Sequence, residues 1–432
     1  PEPWAKDRAE KAFADWREAV DGKGTSVFEQ RLQKSGWSLE TAFGFLSTPE
    51  PVPQTDWPFW AQALHDFLVA APPGSGRWKC DIHPNDRDLP FIEIIEPLAQ
   101  WTFEKLSPIY DTLRPYLSTS ALEDLDRRLR QELSALCTST LLTEFQAQRF
   151  RLSNGQPSLP GSTKAYAGFI DELHLSGLRD LFEKYPVLAR FISTQIIHWQ
   201  SFLREFSSRL TQDRQELEAF FSWRSDELAS AVKLGLSDKH NNARVCIELV
   251  LGTGRSIFYK PKSLAPDLIF QTALADLSRW AELAPVAMPK TMDHQTYGWV
   301  EGARFAPCQT VKEVAQFYQK AGMVLFAQYL LGGSDLHHEN LIAAGSDPVV
   351  VDHECLMSHL PLVRNETMGS AGQSDADLFL NSVMRVHMLP VWLIANAQSV
   401  SDTSSLGASL VTAPDQPTAS VRFPNTDIMR FD

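Results

Sequence analysis

Apolar residues in the first half of the chain recur every three to four positions, the period of a helix buried along one face. Asp56 and Pro58 suit a helix start, and Trp60, Leu64, Phe67 and Leu68 follow at that spacing. The segment YPVLARFISTQIIHWQSFLREF carries Leu188, Ile192, Ile196, Trp199, Leu203 and Phe206 on one broad face. Two loop-like breaks, APPGSG at 71–76 and SNGQPSLPGS at 153–162, interrupt this helical texture. No internal repeat is visible, and stripes of this kind are ordinary packing faces.

Near residue 230 the pattern changes to short β-type runs. Val245, Ile247, Leu249 and Leu251 alternate, GTGR turns the chain, and SIFYK runs back, which predicts a hairpin. LAPDLIFQTALADLSRWAEL then reads as a helix and TYGWVEGARF as a short strand with its connector. VKEVAQFYQKAGMVLFAQYLLGG reads as a second helix ending in a glycine pair. The stretch from 400 to 420 is rich in Ser and Thr and reads as loop. Helices first and strands later predict an α+β fold.

Composition narrows the classes. A chain of 432 residues with 44% hydrophobic content can bury a large core in two or three domains, and 22% charged residues argue against wholesale disorder. The formal net charge of −13 argues against a nucleic-acid partner but permits an anionic ligand held by local positive groups. Cys80, Cys137, Cys246, Cys308 and Cys355 are scattered, with no CxxC pair, as expected of reduced thiols in the cytoplasm rather than a disulfide framework or a cysteine zinc site. The opening PEPWAKDRAEKAF has no apolar signal core. No run reaches the roughly 18 apolar residues of a membrane helix, so no stable membrane insertion is expected. A start on proline without methionine reads as processing or as a piece of a longer chain.

The chemistry concentrates in DLHHENLIAAGSDPVVVDHE, residues 335–354. Asp335 and Asn340 stand five residues apart directly after a helix, and Asp352 ends the apolar run PVVVD. Phosphoryl transfer uses this layout: a loop aspartate for the acceptor hydroxyl, an asparagine folded back to magnesium, and a second aspartate holding the metal across the phosphates. The Asp–Asn spacing is that of a protein-kinase catalytic loop. Asp352, however, is followed by His353 and Glu354 rather than Phe-Gly, and His337 stands where a lysine is usual. Each residue alone has an ordinary reading as a turn or loop residue; the three in this order, with an apolar strand before the last, favour the site. Lys260, at the end of SIFYK, is a candidate for nucleotide phosphates, although a lone lysine there is more often a solvated edge charge. The polar loop SDKHNNAR is neither a Walker loop nor GxGxxG, so Asp238 and His240 would act through side chains, and GTGR reads as a turn. The acidic partner of Lys260 stays open among Asp267, Asp276 and Glu282.

The segments SDKHNNAR, FYKPKSLAPDLIFQ, YGWVE, DLHHENLIAAGSDPVVVDHE, NSVMRVHMLP, SSLGASL and NTDIMR occur in this order. Together they resemble the dehydratase domain of class II lanthipeptide synthetases, and LPFIEIIEPLAQWT and YPVLARFI are similar to that family's N-terminal region. The resemblance implies a bacterial enzyme with a fold related to lipid kinases. Such an enzyme uses ATP and magnesium to phosphorylate Ser and Thr of a leader-bearing precursor peptide, then eliminates phosphate to give dehydroalanine and dehydrobutyrine. A separate C-terminal zinc cyclase, as a domain or partner, would form the thioether rings. By motif, Asp238, His240 and Lys260 would engage the nucleotide, Asp335 and His337 would serve phosphoryl transfer, and Asn340 and Asp352 would hold magnesium with Glu354 close by.

Three departures qualify the resemblance. The family loop reads G-D-x-H-x-x-G-R, whereas Ser237 and Ala243 stand here in place of its glycines. The family's Asp-Leu-Glu-Thr is here Asp352-His353-Glu354-Cys355. The family's elimination arginine and threonine are expected beyond Asp432, so the C-terminal part of the catalytic domain is expected to be incomplete and elimination to lie outside this chain. The expected organisation is a helical region over 1–225, an N-lobe over 226–304 with Lys260, and the start of a C-lobe over 305–432. Two other readings are a stand-alone phosphotransferase on another hydroxyl and an inactive peptide-binding module.

Overall fold

Helical periodicity governs the chain as far as Phe221. The computed structural model describes residues 3–21, 27–47, 54–153, 159, 161–357, 381–391, 393–396, 399–407 and 420–432. Residues 1–62 and 63–432 form separate compact units. The first contains α1 (Pro3–Asp21), α2 (Val27–Lys34) and α3 (Leu39–Ser47), with a small core of Phe28, Leu32 and Ala42 flanked by Phe13 and Val20.

Helix α4 (Phe59–Ala70) runs across the division at 62/63, and the larger unit continues with α5 (Ile92–Leu113), α6 (Thr119–Ser153), α7 (Lys164–Ser176), α8 (Arg179–Lys184) and α9 (Pro186–Phe221). Pro186 opens α9, where a missing amide proton costs nothing. The predicted stripe from Leu188 to Phe206 is buried and continues through Leu210 and Leu217. The helix stops at Ser222, whose φ is +54°. At APPGSG the chain leaves α4 through Gly74, φ +67°, and enters a short 3-10 turn, Gly76–Trp78. Most of the second expected break, 153–162, lies outside the described residues, as does 408–419 of the Ser/Thr-rich stretch.

Helix gives way to strand between Phe221 and Ala229. Strands β1 (Ala229–Lys233), β2 (Ile247–Leu251), β3 (Ser256–Lys260), β4 (Thr291–Asp293) and β5 (Gly298–Glu301) form one antiparallel sheet in the order β1-β2-β3-β5-β4. GTGR is the turn of the β2–β3 hairpin, with Gly254 at φ +77°. Successive side chains of a strand point to opposite faces. Ile257 and Tyr259 therefore enter the core shared with α5, α6 and α9, while Phe258 and Lys260 face away from it into a cleft. The Tyr259 ring lies 5.3 Å from Phe206 and 5.1 Å from Trp299.

A second core lies beyond the cleft. Helices α10 (Ala265–Trp280) and α11 (Val311–Leu330) supply Phe270, Leu274, Ala321, Met323, Val324 and Ala327. The hairpin β6 (Leu341–Ala344) and β7 (Asp347–Val350) supplies Val350, and the NSVMRVHMLP segment supplies Val386 and Met388. Buried Lys320 of α11 pairs with Asp347 at 2.6 Å, which fixes the hairpin to the helix. Short pairs β8 (Leu393–Asn396) with β9 (Ser399–Ser401) and β10 (Val421–Arg422) with β11 (Arg430–Phe431) complete the described elements, and the fold is α+β.

NTDIMR returns the end of the chain to the helical layer. Asn425 Oδ1 accepts from the Phe91 amide at 2.7 Å, and its Nδ2 donates to the carbonyls of Arg87 and Leu89. Asp427 accepts from the Tyr166 amide at 2.8 Å and from the Ser162 hydroxyl. Phe91 has φ +57° at the start of α5, so its amide needs this partner outside the helix. Among the described residues no helix is long and apolar enough to cross a membrane, and the five cysteines are free thiols.

Candidate functional site

Lys260 ends β3 with its side chain almost fully buried. A buried ammonium needs partners. It donates to the Val351 carbonyl, and its Nζ lies 4.0 Å from Asp267 Oδ1. Of the three acids left open by the sequence, Asp267 is thus the partner. It sits in the first turn of α10, where a carboxylate also suits the helix dipole. Asp276 instead pairs with Arg279 on the surface, and Glu282 is exposed. His353 is buried and joins the pair, its Nδ1 lying 3.2 Å from Asp267 Oδ1 and its ring 4.5 Å from that of Phe270.

The loop after α11 holds Asp335, His337 and Asn340. Asp335 has φ +66° and is exposed, while the next residue, Leu336, is buried in the second core and donates its amide to Val386 O. That anchor presents Asp335 at the surface of a packed base. The Asn340 amide nitrogen donates to the Asp335 carbonyl at 3.0 Å and lies 3.2 Å from His337 Nε2. The Asn340 carbonyl accepts from the Val351 amide. Val351 therefore ties the loop to Lys260 through its two backbone groups.

Strand β7 stops at Val350, so Asp352 lies two residues beyond the strand rather than at its last position. Burial alone would raise its carboxyl, but the Lys260 and Lys262 ammoniums outweigh that and hold it below the ordinary carboxylate range. Lys262 bridges Asp352 Oδ1 at 2.8 Å and Glu354 Oε2 at 2.7 Å. Cys355 Sγ lies 4.0 Å from Asp335 Oδ2. Cys246, on the opposite wall, is pushed up to about 11 by burial and so stays protonated near neutrality.

The expected nucleotide loop spans β1 and β2. Asp238 and His240 are exposed, and the loop is closed by paired backbone bonds between His240 and Arg244. Asn241, Asn242 and Ala243 all have positive φ, at +40°, +68° and +62°. Two ion pairs hold this turn against the helices: Lys239 to Glu132 of α6 at 3.0 Å, and Arg244 to Glu205 of α9 at 2.5 Å. Ser237 uses its hydroxyl to accept from the Cys246 amide at 3.1 Å. The two family glycines are thus replaced in different ways. Ala243 holds a left-handed conformation that costs a Cβ residue about 1–2 kcal/mol, whereas Ser237 gains a hydrogen bond. Ala243→Gly should raise stability by about 0.5–1 kcal/mol, the left-handed cost less the extra unfolded-state entropy of glycine. Ser237→Gly should lower it. Urea unfolding reads both, and a loss in Ala243→Gly would contradict the strain.

Asp238, His240, Lys260, Asp335, His337, Asn340, Asp352 and Glu354 all line one cleft of about 760 Å³ between the sheet and the second core. All eight candidates are brought together although they come from three separate stretches. Lys262 also lines the cleft; its only sequence signal is the second lysine of KPK. The tethers Glu132 and Glu205 carry no local signal, since their partners lie far away in sequence.

The donor set can be tested against magnesium. Among the described residues no group of three or more His, Cys, Asp and Glu side chains is placed to hold a metal by itself. Magnesium does not need one: it binds through one or two carboxylates, with phosphates and waters completing the octahedron. Asp352 offers a carboxylate, and Asn340, with its nitrogen engaged, offers an amide oxygen. Hard oxygen donors of this number fit the ion.

Comparison with known proteins places these observations in a family. Residues 185–432 match the family described as Domain of unknown function (DUF4135). The chain is also similar to the lacticin 481/lactococcin biosynthesis protein LcnDR2 of Lactococcus lactis subsp. lactis, 26% identical over 246 residues. The match covers 54% of this chain and 26% of that relative, so this chain corresponds to about a quarter of the relative's length. Residues 185–432 contain the sheet, both sides of the cleft and every candidate residue, and the chain belongs to the DUF4135 family as a class II lanthipeptide synthetase-like protein.

Proposed function

We propose that the cleft transfers the γ-phosphoryl group of ATP to Ser or Thr hydroxyls of a leader-bearing precursor peptide, within a two-lobed, lipid-kinase-like catalytic fold. The observation that carries this reading is the convergence of a buried, acid-paired lysine with the Asp335–Asn340–Asp352 set across one cleft. Two hydrophobic cores on either side of it support the two lobes. The relative's role in lantibiotic biosynthesis supports a peptide substrate.

Each side chain has a task its geometry suits. Lys260, held by Val351 O and Asp267, presents a fixed positive charge to the nucleotide phosphates. Asp238 and His240 approach them from the loop. Asp335, exposed at the cleft, orients the acceptor hydroxyl and takes its proton, with His337 beside it. The hydroxyl oxygen bonds to the γ-phosphorus as the bond to the β–γ bridging oxygen breaks, and the electron pair leaves with ADP. Asn340 and Asp352 would hold magnesium, which when bound neutralises charge on the phosphates. Elimination of the phosphate to the dehydro residue is the second half of the activity proposed for the complete synthetase, and ring closure belongs to a cyclase domain or partner.

Incubating the chain with a cognate precursor peptide, ATP and magnesium should add about 80 Da per modified Ser or Thr, the mass of HPO₃. Mass spectrometry reads this directly. A peptide of unchanged mass, with the protein shown to be folded, would overturn the proposal, and loss of water would show that this chain performs elimination as well.

A further inference from the structure

Two lysines enter the cleft, and they are held differently. Lys260 is almost fully buried and fixed by a backbone carbonyl and by Asp267. Lys262 is about one-third exposed and, among the described residues, bonds to carboxylates, Asp352 Oδ1 at 2.8 Å and Glu354 Oε2 at 2.7 Å. Those acids are separated in sequence only by His353, which turns away to Asp267. Two neighbouring carboxylates repel unless a cation sits between them. In this structure that cation is the Lys262 ammonium.

A divalent ion held by Asp352 would meet the Lys262 ammonium already on that carboxylate. Magnesium binds its oxygens at about 2.0–2.1 Å, closer than the 2.8 Å between the ammonium and Asp352 Oδ1, and two cations on one carboxylate repel. The lysine stem is long and flexible, with three donors on a compact charge. The same cleft is where Lys260 and the Ser237–Arg244 loop converge.

We infer that Lys262 is an exchangeable counter-ion: it neutralises Asp352 and Glu354 while no divalent cation is present, and moves to the phosphates of the incoming nucleotide when the cation takes its place. This rests on reading the cleft as a nucleotide and magnesium site. Lys262 is then a positioning residue with two states, and it makes cation binding and nucleotide binding interdependent. With nucleotide present, the displaced ammonium has a new anion, so the two ligands favour each other. Without nucleotide, it competes with the ion.

The test uses the full chain with Mn²⁺ as probe, followed by electron paramagnetic resonance, and a non-hydrolysable ATP analogue followed by calorimetry. In Lys262→Met, Mn²⁺ without nucleotide should bind about tenfold more tightly than in the parent, because the competing charge is gone. The analogue, in saturating Mn²⁺, should bind more weakly. A merely structural lysine would not move the two affinities in opposite directions. Lys262→Arg, which restores the charge, should return Mn²⁺ affinity towards the parent value. If the Met variant melts early, Lys262→Gln repeats the measurement with a polar side chain of reduced length. Unchanged affinities, or a fall in both, would overturn the inference while leaving the site reading intact. A folded parent that binds neither Mn²⁺ nor the analogue would overturn both.

Discussion

Asp335→Asn should bind nucleotide as the parent does and transfer phosphate more slowly by a factor on the order of 10²–10⁴, the range for loss of a positioned base. The substitution is nearly isosteric. Asp335 sits at φ +66°, and asparagine tolerates the left-handed region as well as aspartate does. The loop is held by backbone and neighbouring groups, namely Leu336 in the core and Asn340 on the Asp335 carbonyl, which the substitution leaves in place. The fold and the Lys260 contacts to Val351 and Asp267 should therefore survive while the proposed proton acceptor is lost. Single-turnover kinetics and calorimetry separate the two effects. An equal loss of nucleotide affinity in the presence of magnesium would make Asp335 a metal ligand instead.

Asp267→Ala should lower stability by about 3 kcal/mol and remove nucleotide binding with it. Asp267 is 5% exposed and faces two buried groups, the Lys260 ammonium and the His353 ring. Deleting one partner of a buried charge leaves the other without compensation, which costs about 3–5 kcal/mol for a close pair. The low end applies here because the Lys260–Asp267 separation is 4.0 Å and the Val351 carbonyl remains. The lysine would then be free to seek solvent. Asp276→Ala and Glu282→Ala are the controls, and these surface changes should stay within about 0.5 kcal/mol. Urea unfolding with calorimetric nucleotide binding reads all three. An Asp267→Ala protein of parental stability and affinity would remove Asp267 from the site.

Local pattern determined much of this molecule. The stripe from Leu188 to Phe206 specifies α9 because a 3.6-residue period leaves only one arrangement in which those side chains are buried together. Alternation from Ile247 to Leu251, a glycine turn and SIFYK specify the β2–β3 hairpin, and the same alternation sends Tyr259 to the core and Lys260 to the cleft. Eight named residues line one cleft: Asp335, Asn340 and Asp352 were readable from a spacing set by a short loop and a hairpin, Lys260 from the end of its strand, and Asp238, His240, His337 and Glu354 through the family resemblance. What it left open was decided by contacts between distant segments. Asp267, rather than Asp276 or Glu282, meets Lys260 because it lies in the first turn of α10, which brings it beside the end of β3 and against His353. Lys262 meets Asp352 and Glu354 across 90 and 92 positions of sequence. Glu132 and Glu205 hold the Ser237–Arg244 loop from α6 and α9, and Asn425 and Asp427 fasten the last described segment to Phe91 and Tyr166. Such pairs have no period and no local signature. A charged side chain finds its partner only after the hydrophobic faces have fixed which helices and strands are neighbours, so the periodicities were readable in the sequence and the charge pairing emerged with the tertiary packing.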